Sequence, residues 1–181
     1  MLPVVPCGVQ VLTKEAGEVS IWSLQEIQRA TLAIMDDLLR TILEGYELPK
    51  EGLHGPRHWI RVSRVGLELA KATPGGDPEV VYLFALFHDS RRENEDTDPD
   101  HGLRGAELAG SMRGTHLLHL NDAQFELLRY ACTHHTDGET TADPTIGCCW
   151  DADRLDLGRV GVEVEVDPEY LSTAAGRGML R

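Results

Sequence analysis

Residues 80–96 read VVYLFALFHDSRRENED. Asp77-Pro78-Glu79, just before them, is a helix start: a side chain that accepts from orphan N–H groups, then a proline whose missing N–H costs nothing in a first turn. The run Val80–Phe87 is apolar on every side, so its helix belongs at the centre of the fold. It ends on His88 and Asp89, followed by Arg91, Arg92 and a cluster of acids. Burying an ionised carboxylate or an unpaired imidazole there costs several kcal/mol unless something compensates. A divalent cation compensates both at once, because imidazole nitrogen and carboxylate oxygen are good ligands for Zn, Mn and Fe. Adjacent helical residues point about 100° apart, which suits two ligands converging from one end. Alone, a His-Asp dipeptide is a weak sign, so other segments must supply partners.

Outward from this stretch the pattern stays helical. Upstream, from Ser20, Leu24, Ile27, Leu32, Ile34, Leu38, Leu39, Ile42 and Leu43 recur at three- and four-residue intervals until Gly45 stops them. Pro56 suits another first turn, after which Trp59, Val62, Val65, Leu69 and Ala70 can share a face. Downstream, Asp98-Pro99 opens a helix through Leu103, Ala106, Leu108 and Ala109, and a further helix runs from about Asn121 to His135. The last strong helix covers about Pro144 to Gly158, and Asp167-Pro168 carries one more start signal. Residues 1–20 mix Pro, Gly and β-branched side chains and read as irregular, with at most one short strand. Later, only VGVEVEV (Val160–Val166) alternates, and weakly. Without repeats or linkers, the chain reads as one all-α domain.

Length and composition agree. The chain has 181 residues, 41% hydrophobic and 26% charged, as expected of one globular domain with a real core. No apolar run approaches the roughly 20 residues that span a bilayer. The start MLPVVPCGVQ lacks a secretory n-region, so the expected location is the cytoplasm and no membrane partner is expected. A net charge of −13 argues against a nucleic-acid partner, although arginines or a metal can reverse the field at one pocket. Cys7, Cys132, Cys148 and Cys149 form no CxxC pair and read as reduced thiols.

Partners for His88 and Asp89 exist. His58 lies upstream on its own helix, and the segment CCWDADRLDLGR (Cys148–Arg159) carries Asp151, Asp153 and Asp156 inside an otherwise apolar helix. A buried helix rarely holds acids without a task. His116 and His119 read as surface residues; His54 and His134 are undecided, with Gly55-Pro56 interrupting any face that His54 shares with His58.

The order His…His-Asp…Asp resembles the HD superfamily of metal-dependent phosphohydrolases. The segments that carry the resemblance are HGPRHWIRV around His58, LFHD at His88–Asp89, DHGLRGAEL at His101, HHTDG at 134–138 and DADRLDLGR, spread over about residues 50–160. It implies an all-α bundle of about five to seven helices, here from residue 21 to 181. It further implies one metal held by His58, His88, Asp89 and Asp153, with Asp151 as the alternate for the last position. Some members hold a second metal with two further histidines, and the matching segments place His101 and His135 there. The implied cofactor is a divalent ion (Mn, Zn, Fe, Mg, Co or Ni), one or two per chain.

Arg91 and Arg92 follow the His-Asp pair, and Arg57 and Arg154 flank other matching segments. The bland reading pairs each with local acids, yet a planar guanidinium suits phosphate. Asp89, Arg91 and Arg92 are therefore the expected catalytic residues, with Arg57, Arg91, Arg92, His54 and Arg154 as candidate substrate contacts. Stringent-response relatives place acids soon after the His-Asp pair, where this chain has Arg91, Arg92 and Glu93, so alarmone chemistry is not expected to transfer directly. The expected function is hydrolysis of a nucleotide or other small phosphate ester. The alternatives are a di-iron oxygenase, as in the myo-inositol oxygenase branch of the same fold, and a non-catalytic, metal-stabilised nucleotide-binding module. Association into homo-oligomers is left open.

Overall fold

A computed structural model of the chain describes residues 12–15, 18–21, 35–157 and 166–180. The chain divides into two compact units, Met1–Arg40 and Thr41–Arg181. In the first, strands β1 (Leu12–Glu15) and β2 (Glu18–Ile21) form an antiparallel hairpin with Leu12 opposite Ile21. The sequence reading expected at most one strand here; two residues between a pair of alternating runs are enough to close a hairpin. Of the long helix expected before Gly45, residues 35–44 are helical (α1), and residues 22–34 lie outside the described residues, as does most of the VGVEVEV segment.

Among its described residues the second unit has helices and no strand: after the end of α1 come α2 (Pro56–Ala72), α3 (Pro78–Phe87), α4 (His101–Ser111), α5 (Asp122–His134), α6 (Pro144–Leu155) and α7 (Ala174–Met179). Helix α3 is the centre, as its sequence dictates. Val80, Val81, Leu83, Phe84, Ala85, Leu86 and Phe87 are all buried, and α2, α4, α5 and α6 pack around them. Each large aliphatic or aromatic side chain so buried contributes about 1.5–3 kcal/mol.

Capping residues do more than start helices. Asp77 accepts from the N–H groups of Glu79 and Val80, and its other carboxylate oxygen accepts from the Gln124 side chain of α5 at 2.8 Å. Its own N–H donates to Thr145 of α6 at 3.0 Å. The N-terminal ends of α3, α5 and α6 are thereby tied at one pole, leaving the other pole, where α3 ends, to gather His88 and Asp89. Asn121 and Gln124 form a reciprocal capping box on α5, and Asp143 caps α6.

Two helix starts depart from expectation. Asp98-Pro99 does not open α4, which begins at His101; Asp98 instead accepts two hydrogen bonds from Arg104 and one from the Glu93 N–H. Asp167 does cap its own segment, but only a 3-10 turn, Pro168–Tyr170, follows before α7. Helix α4 sits unusually close to its neighbours: a Cβ on Gly105 would lie 2.3 Å from the Phe87 carbonyl oxygen, and one on Gly102 2.3 Å from that of Cys132. Only glycine permits this approach. Cys132, Cys148 and Cys149 are buried free thiols, and no helix among the described residues is long and apolar enough to cross a membrane.

Candidate metal centre

Helix α2 delivers His58, the end of α3 delivers His88 and Asp89, α4 begins with His101, His135 follows α5, and α6 brings Asp153. Both imidazoles of the first pair are fully buried, and their Nε2 atoms stand 3.0 Å apart. An Asp153 oxygen lies 3.2 Å from His58 Nε2 and 3.7 Å from His88 Nε2. In a second group, the Nε2 atoms of His101 and His135 are 2.9 Å apart, with an Asp89 oxygen at 3.1 Å and 3.8 Å. His58, His88 and Asp153 form one triad, and Asp89, His101 and His135 another. Asp89 joins them: Oδ1 faces the second triad, while Oδ2 lies 3.3 Å from His58 and 3.5 Å from His88.

The outer ring nitrogens decide what the inner ones can do. His88 Nδ1 faces the carbonyls of Phe84 and Ala85, His135 Nδ1 that of Cys132 at 2.7 Å, and His101 Nδ1 that of Asp98. A carbonyl only accepts, so each Nδ1 carries its proton. His58 Nδ1 donates to Asp156 at 2.7 Å. Every Nε2 thus points inward, toward another Nε2 and a carboxylate. That arrangement calls for positive charge among the atoms, from a proton or a cation.

Two ligands about 2.1 Å from one cation and 90–110° apart stand about 3.0–3.4 Å from each other. The nitrogen pairs, at 3.0 and 2.9 Å, match that spacing. The donor set, imidazole plus carboxylate with each outer nitrogen pinned, is what a divalent ion of the Zn, Mn or Fe kind requires. The residues fit a metal at both triads.

Electrostatics carry the same sign. Burial alone would push the Asp89 carboxyl up, but His88, His101, His135 and His58 outweigh it and hold it well below the usual carboxylate range. Asp153 is likewise held down against burial, chiefly by His58. Burial pushes His88 down to about 3, so it is neutral at physiological pH. For His58, burial is overcome by hydrogen bonds to Asp153, Asp156 and Asp89, which hold its pKa up at about 10.

This charge pattern gives a pH dependence. Cations take neutral imidazole, so loading the first triad must expel the His58 proton. Below the His58 pKa, apparent affinity is expected to rise by up to about tenfold per pH unit, with proton release measured by calorimetry in buffers of different ionisation heat. The same raised pKa stabilises the metal-free fold fully below the ordinary histidine value, and that contribution is lost as pH climbs to about 10.

The two aspartates of α6 are separated by function. Asp151 is fully buried away from the triads and accepts from the Ser172 N–H, the Thr173 N–H and the Thr173 hydroxyl at 2.7–2.8 Å. It anchors the segment leading to α7. Asp151→Ala is expected to cost about 3 kcal/mol by leaving buried donors unpaired. A melting temperature lower by roughly 6–12 °C, with unchanged metal content in the folded protein, checks this.

The arginines divide similarly. Arg92 is buried, with Nη1 3.5 Å from Asp89 and 3.2 Å from His101 Nε2, and its other nitrogens donate to the carbonyls of Asn94 and Asp96. Arg91 turns away, donating to the carbonyls of Ile42 and Ser90; Arg154 donates to those of Tyr170 and Glu139. Arg57 is exposed and pairs with Glu51 at 2.9 Å. These three contact backbone carbonyls or a surface acid rather than either triad. His54 is close: its ring centroid lies 6.3 Å from that of His58, and Nδ1 bonds Glu95 at 2.5 Å. His134 pairs with Asp137 and His119 with Glu79 at exposed positions, and His116 contacts Thr115.

Asp156 was grouped with Asp151 and Asp153 as an acid with a task but given no role at the site, and neither Glu95 nor Tyr46 was given one. The signal for Asp156 was present, since it follows Asp153 by three residues and so shares its helix face.

No protein-family model and no curated protein matches the chain. Among solved structures it is similar to the crystal structure of a predicted HD superfamily hydrolase from an uncultured Thermotogales bacterium, at 25% identity and a TM-score of 0.62, over 88% of this chain and 89% of that one. That likeness spans nearly the whole chain, so the chain is similar in fold to a predicted HD superfamily hydrolase, in line with the resemblance carried by the order of its histidines and aspartates.

Proposed function

We propose that the protein is a metal-dependent hydrolase of nucleotides or other small phosphate esters, with one ion in each triad. The observation that carries this reading is Asp89, whose two oxygens each face one set of paired Nε2 atoms. His58, His88 and Asp153 would hold the first ion, His101 and His135 the second, and Asp89 would contribute to both. When bound, such ions supply Lewis acidity, acidifying water and offsetting charge on a phosphoryl oxygen.

The protein groups do the rest. Arg92, fixed by two backbone carbonyls, presents positive charge beside Asp89 and holds an anionic phosphate oxygen. The His54–Glu95 pair stands at the edge of the first triad and passes a proton to the leaving oxygen. Glu95 Oε1 and the Tyr46 hydroxyl are buried with no hydrogen-bond partner among the described residues. Burial first, then the charges of Glu95 and Asp89, push the Tyr46 pKa up to about 12, so the hydroxyl remains a donor. These two oxygens are positions for a substrate hydroxyl or phosphate.

The test is phosphate release from a panel of nucleotides and small phosphate esters, with each divalent metal supplied in turn. His54→Gln is expected to lower kcat by roughly a hundredfold with metal content unchanged, the scale of losing one acid–base group. Release that is independent of metal, or equal in Asp153→Ala, sinks the reading. A di-iron oxygenase would use the same six side chains; oxygen consumption by iron-loaded protein distinguishes it.

A further inference from the structure

Asp156 lies just past the end of α6 and outside both triads, yet it is tied to the first by a single directed contact. One carboxylate oxygen, Oδ2, accepts from His58 Nδ1 at 2.7 Å. The same carboxylate is gripped by Arg61, one helical turn after Arg57 on α2, whose Nε donates to Oδ1 at 2.8 Å and whose Nη2 donates to Oδ2 at 3.1 Å. Burial alone would push the Asp156 carboxyl up; His58 and Arg61 reverse this and keep it below the ordinary range, so it stays an acceptor.

The other three imidazoles rest on main-chain carbonyls, which the backbone itself fixes. His58 alone depends on a side chain, and that side chain depends on another. Arg61 is partly exposed and, with Arg57, Leu53, Leu155 and Asp156, lines an open cleft of about 500 Å³. The support of one triad nitrogen is thus set at the surface, whereas its three counterparts are set in the core.

We infer that Asp156 is the positioning residue of the first triad, holding His58 with Nδ1–H on its carboxylate and Nε2 turned inward, and that Arg61 in turn holds Asp156. The inference rests on the metal-binding reading above. A carboxylate behind a ligating imidazole fixes its tautomer and orientation, and losing it typically lowers metal affinity 10–100-fold.

The experiment is a competition titration of metal-free protein with Zn or Mn against a chromophoric chelator, in wild type, Asp156→Ala, Asp156→Asn and Arg61→Ala. Melting curves of each metal-free protein accompany it. Asp156→Ala is expected to weaken the first triad's site roughly 10–100-fold and leave the second site within about twofold. Asp156→Asn, whose carbonyl still accepts from Nδ1, is expected to recover most of that loss, and Arg61→Ala to lose a few-fold. A merely structural Asp156 would lower the melting temperature and weaken both sites together, which overturns the inference. Wild-type affinity in Asp156→Ala overturns it as well, as does equal loss in the Ala and Asn variants. Wild-type protein that takes up no metal overturns the underlying reading first, and the inference with it.

Discussion

Replacing Asp89 with alanine is expected to abolish turnover, by at least two orders of magnitude, the scale of deleting one preorganised electrostatic group from a water-poor site. The loss should exceed that from any other single acid in the chain. Asp153 serves one triad, whereas Asp89 places one oxygen against each. Its removal leaves four inward lone pairs with a single carboxylate between them, so occupancy at both positions should weaken together. Asp89→Asn makes the sharper comparison. It keeps the shape and removes the charge, so a variant that stays folded yet fails to hold metal assigns the effect to charge. Metal analysis beside steady-state rates on one phosphate ester is sufficient; an alanine variant with wild-type rates would end the hydrolase proposal.

Stripping metal is expected to give the second large effect. A ligand present at a hundred times its dissociation constant stabilises the native state by about 2.7 kcal/mol, so two independent ions contribute about 5 kcal/mol. For a domain of this size that corresponds to a melting temperature lower by roughly 10–20 °C in excess chelator. Wild type should take up two equivalents of Mn or Zn. His135→Ala should take up one, with about half of the thermal shift, because its Nε2 belongs only to the second triad. A single tightly held ion in wild type would refute the two-ion arrangement, and with it the oxygenase alternative.

Much of this architecture was legible in the sequence because burial and charge conflict so openly in it. A helix apolar all round that ends on His88 and Asp89 can only be central, and it is. Asp153 was separable from Asp151 by resemblance, not by spacing; the structure adds the reason, for Asp151 is consumed by three donors near α7. The arginines were not legible. Arg91 and Arg92 are neighbours of identical type, and which one turns toward Asp89 depends on whether a carbonyl such as that of Ile42, far away in sequence, is there to capture the other. Asp156 shares a helix face with Asp153, but its specific role was not legible, since its partner is the outer nitrogen of a histidine ninety-eight positions away. Helix boundaries shifted wherever a capping side chain had a better partner, as Asp98 found in Arg104.

Where α4 slides against the carbonyls of Phe87 and Cys132, Gly105 and Gly102 leave no room for one extra carbon. Part of this centre is therefore written in atoms that are missing. A methyl group in place of a hydrogen at either position would be a remote edit of the chemistry, levering His101 off its companion without altering anything that carries charge. Two blank positions in α4 thus guard the placing of His101 against His135 as closely as the side chains themselves do.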